Sequence, residues 1–350
     1  MSEVPDGYTF DKLIGKGAFG EVYLTSKKGT NEKFATKKMD KSLVLRDKVK
    51  KYFNNEIFIL KQVNHPNIIK LVDLKTGINC FFLIFELCNG GCLSDILEKY
   101  KAKYNKSFSQ EIVQYLMRQI ISGFAYLHDM KILHRDVKLD NILINFPTEA
   151  DKQNLNLLSC QVKIIDFGFA RYLKSDTLAK SLLGNPINMD PHILRKMNKM
   201  DNTQNFGYDQ KADIWSLGCV CYEMLIGTPA FDASSMDELC MKIQKGDYKI
   251  PHDITLSYEA ISFLNGMMQY DPQRRLDIHQ LASQYFLTKD VKTFHPVQMK
   301  KSKMDLGQSI ILNSKETNPV LSAFELQGLD KISPEDYFDK EKSIVEKKKI

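Results

Sequence analysis

The 350-residue chain predicts an α+β protein in two lobes, an antiparallel five-stranded sheet with one helix followed by a larger, mainly helical part. Three observations carry this. Apolar and polar residues alternate from residue 8 to about residue 40 around a glycine-rich turn, the period of a strand. From about residue 48 to 63 the apolar spacing lengthens to three and four, the period of a helix, and after Asn89-Gly90-Gly91 helical patterns dominate. The length suits about two cores rather than one.

Taken in order, Leu13-Ile14, Val22-Tyr23-Leu24 and Phe34-Ala35-Thr36-Lys37 are three strands of a meander. Val49, Phe53, Ile57 and Leu60 form the apolar stripe of the helix, and strands are expected over 68–74 and 80–86. Helices are expected over 92–100 and 109–128, the second opened by Ser109 as a capping hydroxyl with Glu111 in its first turn. Further helices fall at 212–226, 236–245, 258–269 and 278–285. From residue 289 the chain is rich in lysine and acids, with weak apolar clusters at Val320-Leu321 and Tyr337-Phe338, the composition of a docked or a disordered tail.

Composition excludes some classes. At 43% hydrophobic and 26% charged the chain is ordinary globular protein. Its net charge of +6 reads as solvated lysine faces, and no nucleic-acid partner is expected. Seven cysteines without C-x-x-C spacing read as free thiols in a reducing compartment. The start is no signal peptide, Ser2 excludes myristoylation, and the apolar run 78–88 is too short to span a bilayer. A cytosolic or nuclear protein without a transmembrane segment is expected.

Three motifs carry chemistry. Gly15-Lys16-Gly17-Ala18-Phe19-Gly20-Glu21-Val22 lets backbone N–H groups approach phosphates without side-chain clash. Dinucleotide-binding folds carry a similar run, but there the third glycine opens a helix, whereas β-favouring Val22-Tyr23-Leu24 follows here. His134-Arg135-Asp136-Val137-Lys138-Leu139-Asp140-Asn141 sets a carboxylate five residues before an amide, and Asp166-Phe167-Gly168 sets another beside a glycine. In this order the three resemble the signatures of eukaryotic protein kinases, over about residues 8–287.

The resemblance implies a bilobal protein kinase fold, with an N-lobe over 1–88 and a C-lobe over 89–288; the tail over 289–350 lies beyond it and is either regulatory, with a regulatory partner, or disordered. It implies ATP and Mg2+ as cofactors and protein substrates as partners. Gly15, Gly17 and Gly20 would cradle the phosphates, and Lys37 would hold two of them, kept in place by Glu56. Ile14, Val22, Ala35 and Leu143 would sandwich adenine, whose edge would meet the backbone of Glu86 and Cys88, with Phe85 behind. Asp136 would orient the attacking hydroxyl and Lys138 would neutralise the transferring group, while Asn141 and Asp166 would bind magnesium. Lys138 two residues after Asp136 resembles serine/threonine kinases. His134, Phe167, Leu60 and Leu71 would form an apolar column standing on Asp213. Ser175, Thr177 and Ser181 are candidate regulatory phosphosites pairing with Arg135, Ser181 foremost.

Ile164-Ile165-Asp166-Phe167-Gly168-Phe169-Ala170-Arg171-Tyr172 and Glu86-Leu87-Cys88-Asn89-Gly90-Gly91 are most similar to the ULK-type, autophagy-initiating kinases, which implies signalling and an autophagy-related role. The long C-terminal region of that group has no counterpart in this sequence, so its recruitment functions do not follow from the resemblance. Where kinases usually read G-T/S-P-x-Y-M-A-P-E, this chain reads Gly184-Asn185-Pro186-Ile187-Asn188-Met189-Asp190-Pro191-His192. His192 stands where a glutamate would pair with Arg275, and Asp190 is the candidate to compensate. The altered loop is the ground for an alternative: a nucleotide-binding pseudokinase acting as regulator or scaffold.

Overall fold

A computed structural model describes residues 3–17, 20–168, 170–172, 186–197, 209–246 and 248–295. Strands β1 (Tyr8–Gly17), β2 (Gly20–Lys27) and β3 (Lys33–Asp40) form the expected meander. A one-turn helix α1 (Lys41–Val44) and the long α2 (Asp47–Gln62) follow, then β4 (Leu71–Thr76) and β5 (Cys80–Glu86). The sheet runs β1-β2-β3-β5-β4 with every neighbouring pair antiparallel. β5 lies between two strands and is covered on both faces, which is why its apolar run does not alternate. Phe81 meets Phe53 of α2 with ring centroids 4.8 Å apart, and Phe82, facing the other way, meets Phe10 at 6.2 Å.

The helical part contains β6 (Gly91–Cys92), α3 (Leu93–Tyr104), α4 (Gln110–Asp129), β7 (Ile132–Leu133), β8 (Ile142–Asn145), α5 (Glu149–Asn154), β9 (Gln161–Ile164) and β10 (Arg171–Tyr172). It continues with α6 (Pro191–Met197), α7 (Gln210–Ile226), α8 (Met236–Gln244), α9 (Tyr258–Met267), α10 (Ile278–Ala282) and α11 (Tyr285–Thr288). Ser109 caps α4 by accepting from Ile112 N, as its position before an acidic first turn implies. α7 is the central pillar, buried from Ala212 through Asp213, Trp215 and Leu217 to Ile226 with no solvated stripe. The resulting architecture is the bilobal kinase fold.

Several boundaries differ from the expected ones, each for a local reason. The strand expected from residue 68 begins at Leu71, because Ile68 and Ile69 are engaged elsewhere: Ile69 N donates to Ile164 O at 3.0 Å and Ile164 N to Asn67 O at 2.8 Å. These two bonds tie the loop after α2 to the strand that leads to Asp166. The single helix expected over 278–285 is two, broken where Gln284 turns extended. A continuous helix would have aligned Tyr285 with Ile278 and Leu281; the break buries Phe286 and Leu287 instead and leaves Tyr285 exposed. The polar connection 145–161 holds the six-residue α5, capped by Thr148 and closed by Leu155 in the left-handed conformation. No apolar period marks so short a helix. Residues 289–295, assigned to the tail, still pack on the helical part: Tyr258 N donates to His295 O at 2.8 Å, and the Phe294 ring meets Phe286 at 5.6 Å.

Five of the seven cysteines are buried, and Cys88 and Cys92 are half-buried. Among the described residues no helix is long and apolar enough to cross a membrane.

Candidate active site

Lys37 lies mid-β3, opposite Val22 on β2 and Leu83 on β5, and its neighbour Lys38 points to the other face. Its Nζ stands 3.3 Å from Glu56 Oε1. Burial disfavours the ammonium, but Glu56 and Asp166 more than offset this and hold Lys37 charged, its pKa above the ordinary value. Lys37, Glu56, Asp166 and Gly168 line one cavity with Met39, Val49, Tyr52 and Phe53. The glycine run closes the hairpin above, β1 ending at Gly17 and β2 beginning at Gly20. A Cβ on Gly20 would lie 2.1 Å from Lys38 O, so only glycine lets β2 start so close to β3.

The His134–Asn141 loop is held from beneath by α7. Asp213 accepts from His134 N and Arg135 N, each at 2.9 Å, and from His128 Nε2 at 3.1 Å. Burial works to raise this carboxyl, and the bond from His128 with the other donors more than offsets it, keeping it ionised below the usual range. Those bonds hold Arg135 in the left-handed conformation at φ 72°, which turns the next residue, Asp136, inward. Asp136 Oδ2 accepts from Asn141 Nδ2 at 2.8 Å and lies 3.1 Å from Lys138 Nζ. The same Nδ2 also donates to Asp136 O at 2.8 Å, so Oδ1 is the Asn141 side-chain atom left to face a cation. Ile165 N donates to Asn141 O at 3.0 Å, bringing the two motifs into register. Asp166 follows at φ 66°, its Oδ1 accepting from Gly168 N at 3.3 Å. His134 and Phe167 meet edge-on at 5.3 Å, both buried with Leu60, while Leu71 is half-buried.

The residues expected around adenine share a distinctive exposure. Ile14 on β1 is 47% exposed, and Val22, Ala35, Leu143, Phe85, Glu86 and Cys88 are half-buried. Val22 and Ala35 sit on neighbouring strands of the five-stranded sheet, and Leu143 pairs with Cys92 in the separate β6-β8-β9 sheet. Burial, with help from Glu86, pushes the Cys88 thiol up to about 12. An unforeseen pair, buried Lys163 Nζ to half-buried Glu86 Oε1 at 2.8 Å, fastens the end of β5 to β9; nothing in the spacing of 77 residues between them signalled it.

The loop at 186–192 departs from the usual pattern and is nonetheless tightly built. Arg275 is fully buried, and its NH1 donates to Asp190 Oδ2. Its remaining donors reach Gln269 O at 2.6 Å, Lys211 O at 2.9 Å and Tyr270 O at 3.0 Å, and its guanidinium lies 5.0 Å from the Trp215 ring centre. Asp190 Oδ1 also accepts from His192 N at 2.8 Å, capping α6. His192 Nε2 is 3.2 Å from Tyr270 O, the carbonyl that Arg275 shares. Asp190 has thus taken the place of the missing glutamate. Asn188 Nδ2 donates to Val137 O at 3.3 Å, next to Asp136, and Ser216 Oγ of α7 donates to Asn188 O at 2.6 Å. Ser175, Thr177, Ser181 and Asn185 lie outside the described residues.

Glu223 carries a carboxyl raised to about 7, first by burial and then by Asp140, whose own Oδ1 accepts from Ser94 Oγ at 3.0 Å.

A two-lobed fold with this constellation is that of a protein kinase, and the comparisons agree. The chain matches the protein kinase domain over residues 8–287 and belongs to that family. It is similar to the serine/threonine-protein kinase atg1 of Dictyostelium discoideum, 33% identical over 281 residues that make up 79% of this chain and 38% of that protein. It is similar also to myosin light chain kinase A of the same organism, 33% identical over 280 residues, 79% of this chain and 86% of that one. A third relative, serine/threonine-protein kinase ATG1 of Kluyveromyces marxianus, is 30% identical over 339 residues, 87% of this chain and 39% of the relative. The chain is thus a serine/threonine protein kinase by family, similar to the ULK group, and spans about two fifths of the atg1-type relatives.

Proposed function

We propose that this protein transfers the γ-phosphoryl group of Mg-ATP to serine and threonine hydroxyls of protein substrates. The observation that carries the proposal is the pinning of Asp136 by Asn141 and Lys138 while Ile165, next to Asp166, is bonded to Asn141. Asp136 would orient the substrate hydroxyl and take its proton as the oxygen–phosphorus bond forms and the bond to ADP breaks. Lys138, 3.1 Å away, would balance charge on the transferring group. Lys37, held charged by Glu56, would fix the phosphates of ATP under the glycine run. Asn141 Oδ1 and the Asp166 carboxylate are hard oxygen donors of the kind magnesium takes alongside phosphate oxygens. When bound, the cation neutralises the phosphates. The half-exposed apolar side chains Ile14, Val22, Ala35 and Leu143 suit a flat adenine ring better than a closed core. A signalling role in a cytosolic or nuclear setting, of the kind the ULK-type resemblance implies, and a regulatory partner for the tail belong to the same proposal.

The pseudokinase alternative rested on the altered docking loop. With Arg275 paired to Asp190, that loop no longer contains a buried charge left over from the change at His192. Phosphate transfer to a generic basic protein, compared with an Asp166→Ala control, decides between the readings. Transfer by the unchanged protein alone is expected. Equal silence of both, with ATP still bound by the unchanged protein, would assign the chain to the regulators.

A further inference from the structure

Helix α2 carries Glu56, and Glu56 matters to the site only through where the helix holds it. Its neighbour Asn55 points about a quarter-turn around the helix, and its Nδ2 donates to the backbone carbonyl of Ala170. Ala170 is no ordinary loop residue. It is fully buried, and its N–H donates to Phe167 O at 3.0 Å, closing the turn that begins with Asp166-Phe167-Gly168. The next two residues, Arg171 and Tyr172, pair with Leu133 and Ile132, the strand that leads into His134, Arg135 and Asp136. One amide on α2 therefore reaches the point where the cation-binding turn and the strand before the Asp136 loop are joined. On the adjoining face of the helix, Glu56 reaches Lys37 of the five-stranded sheet. Gly168 lies between the two contacts: a Cβ there would stand 3.2 Å from Asp166 Oδ1 and 3.9 Å from Glu56 Oε2.

We propose that Asn55 is a positioning residue that locks helix α2 to the Asp166–Ala170 turn, so that the Lys37–Glu56 pair and the Asp166 carboxylate are presented to the phosphates of ATP as one unit. The helix is gripped on adjoining faces by a charge pair at Glu56 and by the neutral amide of Asn55. Because Ala170 O is a backbone atom, the grip reads the path of the turn and not the identity of a side chain. Its substrate class is that of the proposed kinase, a nucleoside triphosphate with its cation, and it rests on that reading.

The test is a double-mutant cycle of Asn55→Ala with Glu56→Gln in the full chain. It is read as affinity for a fluorescent ATP analogue with magnesium and as phosphate transfer, with a melting curve for each variant. Alanine is a better helix former than asparagine at this half-buried position, so the variant is expected to fold. Asn55→Ala alone is expected to weaken ATP affinity by about tenfold and to cost less than about twofold when Glu56 is already glutamine, since both act through one arrangement. Asn55→Asp, the same shape with an acceptor facing the Ala170 carbonyl, is expected to be at least as damaging. Equal losses in both Glu56 backgrounds would make Asn55 merely structural, and no loss in either would leave it idle; each overturns the proposal. Because ATP affinity is read separately, a protein that binds nucleotide but transfers nothing still tests Asn55 while refuting the kinase reading.

Discussion

Asp190 and Arg275 offer the sharpest perturbation. The pair is almost wholly out of water, with side-chain exposures of 5% and 0%. Removing one partner of such a pair typically costs about 3–5 kcal/mol, because the charge left behind has lost its counter-ion and cannot reach solvent. Three backbone carbonyls and the Trp215 ring would still face the guanidinium, which softens the loss without neutralising the charge. Asp190→Asn keeps an oxygen to cap α6 and removes only the charge, so about 3 kcal/mol is expected. Asp190→Ala removes the cap as well, a further 1 kcal/mol or so. At about 2–4 °C per kcal/mol, the melting temperature should fall by roughly 6–16 °C across the two variants, measured by calorimetry at neutral pH. Asp190→Ala with Arg275→Met should lose clearly less than the sum of the single changes, because the double variant buries no lone charge. His192→Glu should return part of the loss to Asp190→Ala, since residue 192 and Arg275 already share the Tyr270 carbonyl. Asp190→Asn melting together with the unchanged protein would refute the reasoning.

Lys37→Met should abolish phosphate transfer and also lower the melting temperature, because buried Glu56 loses its counter-ion, while Lys37→Met with Glu56→Gln should regain stability but not transfer, checked by a transfer assay beside a thermal scan. Gly20→Ala should destabilise the protein and weaken ATP binding, since the new Cβ meets Lys38 O, a backbone atom that cannot swing aside; nucleotide titration and a denaturant curve check both. Glu223, raised in the fold to about 7, makes the folded state hold its proton more tightly than the unfolded chain does. Its contribution to stability is therefore fully present below about pH 4.5 and is lost as pH rises towards 7. Glu223→Gln should flatten that part of the stability profile, which urea midpoints measured from pH 5 to 8 will show.

The five strands, α2 and the main helices were legible because each carries a period, and the three motifs were legible because their chemistry needs fixed spacings. What escaped lacked either signal. The helix α5 is polar but for Ala150 and depends on Thr148, while the break at Gln284 is decided by which of Tyr285 and Phe286 the core accepts. Asn55, Asn188 and the Lys163–Glu86 pair act through partners 115, 51 and 77 residues away, distances over which a lone sequence carries no register. Asp190 lay between the two cases: the sequence showed Arg275 short of its usual acid and one acid nearby, and only the fold shows the two meeting.

Arg135 and Asp166 are the two non-glycine residues at the candidate site that sit in the left-handed region, at φ 72° and 66°. Each such conformation costs about 1–3 kcal/mol that the surroundings must supply. A selection for heat resistance alone would find relief at both positions, by glycine or asparagine, and would reach a sturdier protein with its charged groups re-aimed. Thermostable variants sought for crystallography or screening should therefore leave 135 and 166 untouched and draw their gains from exposed positions such as Leu45 and Ile78, where geometry and chemistry make no competing demands.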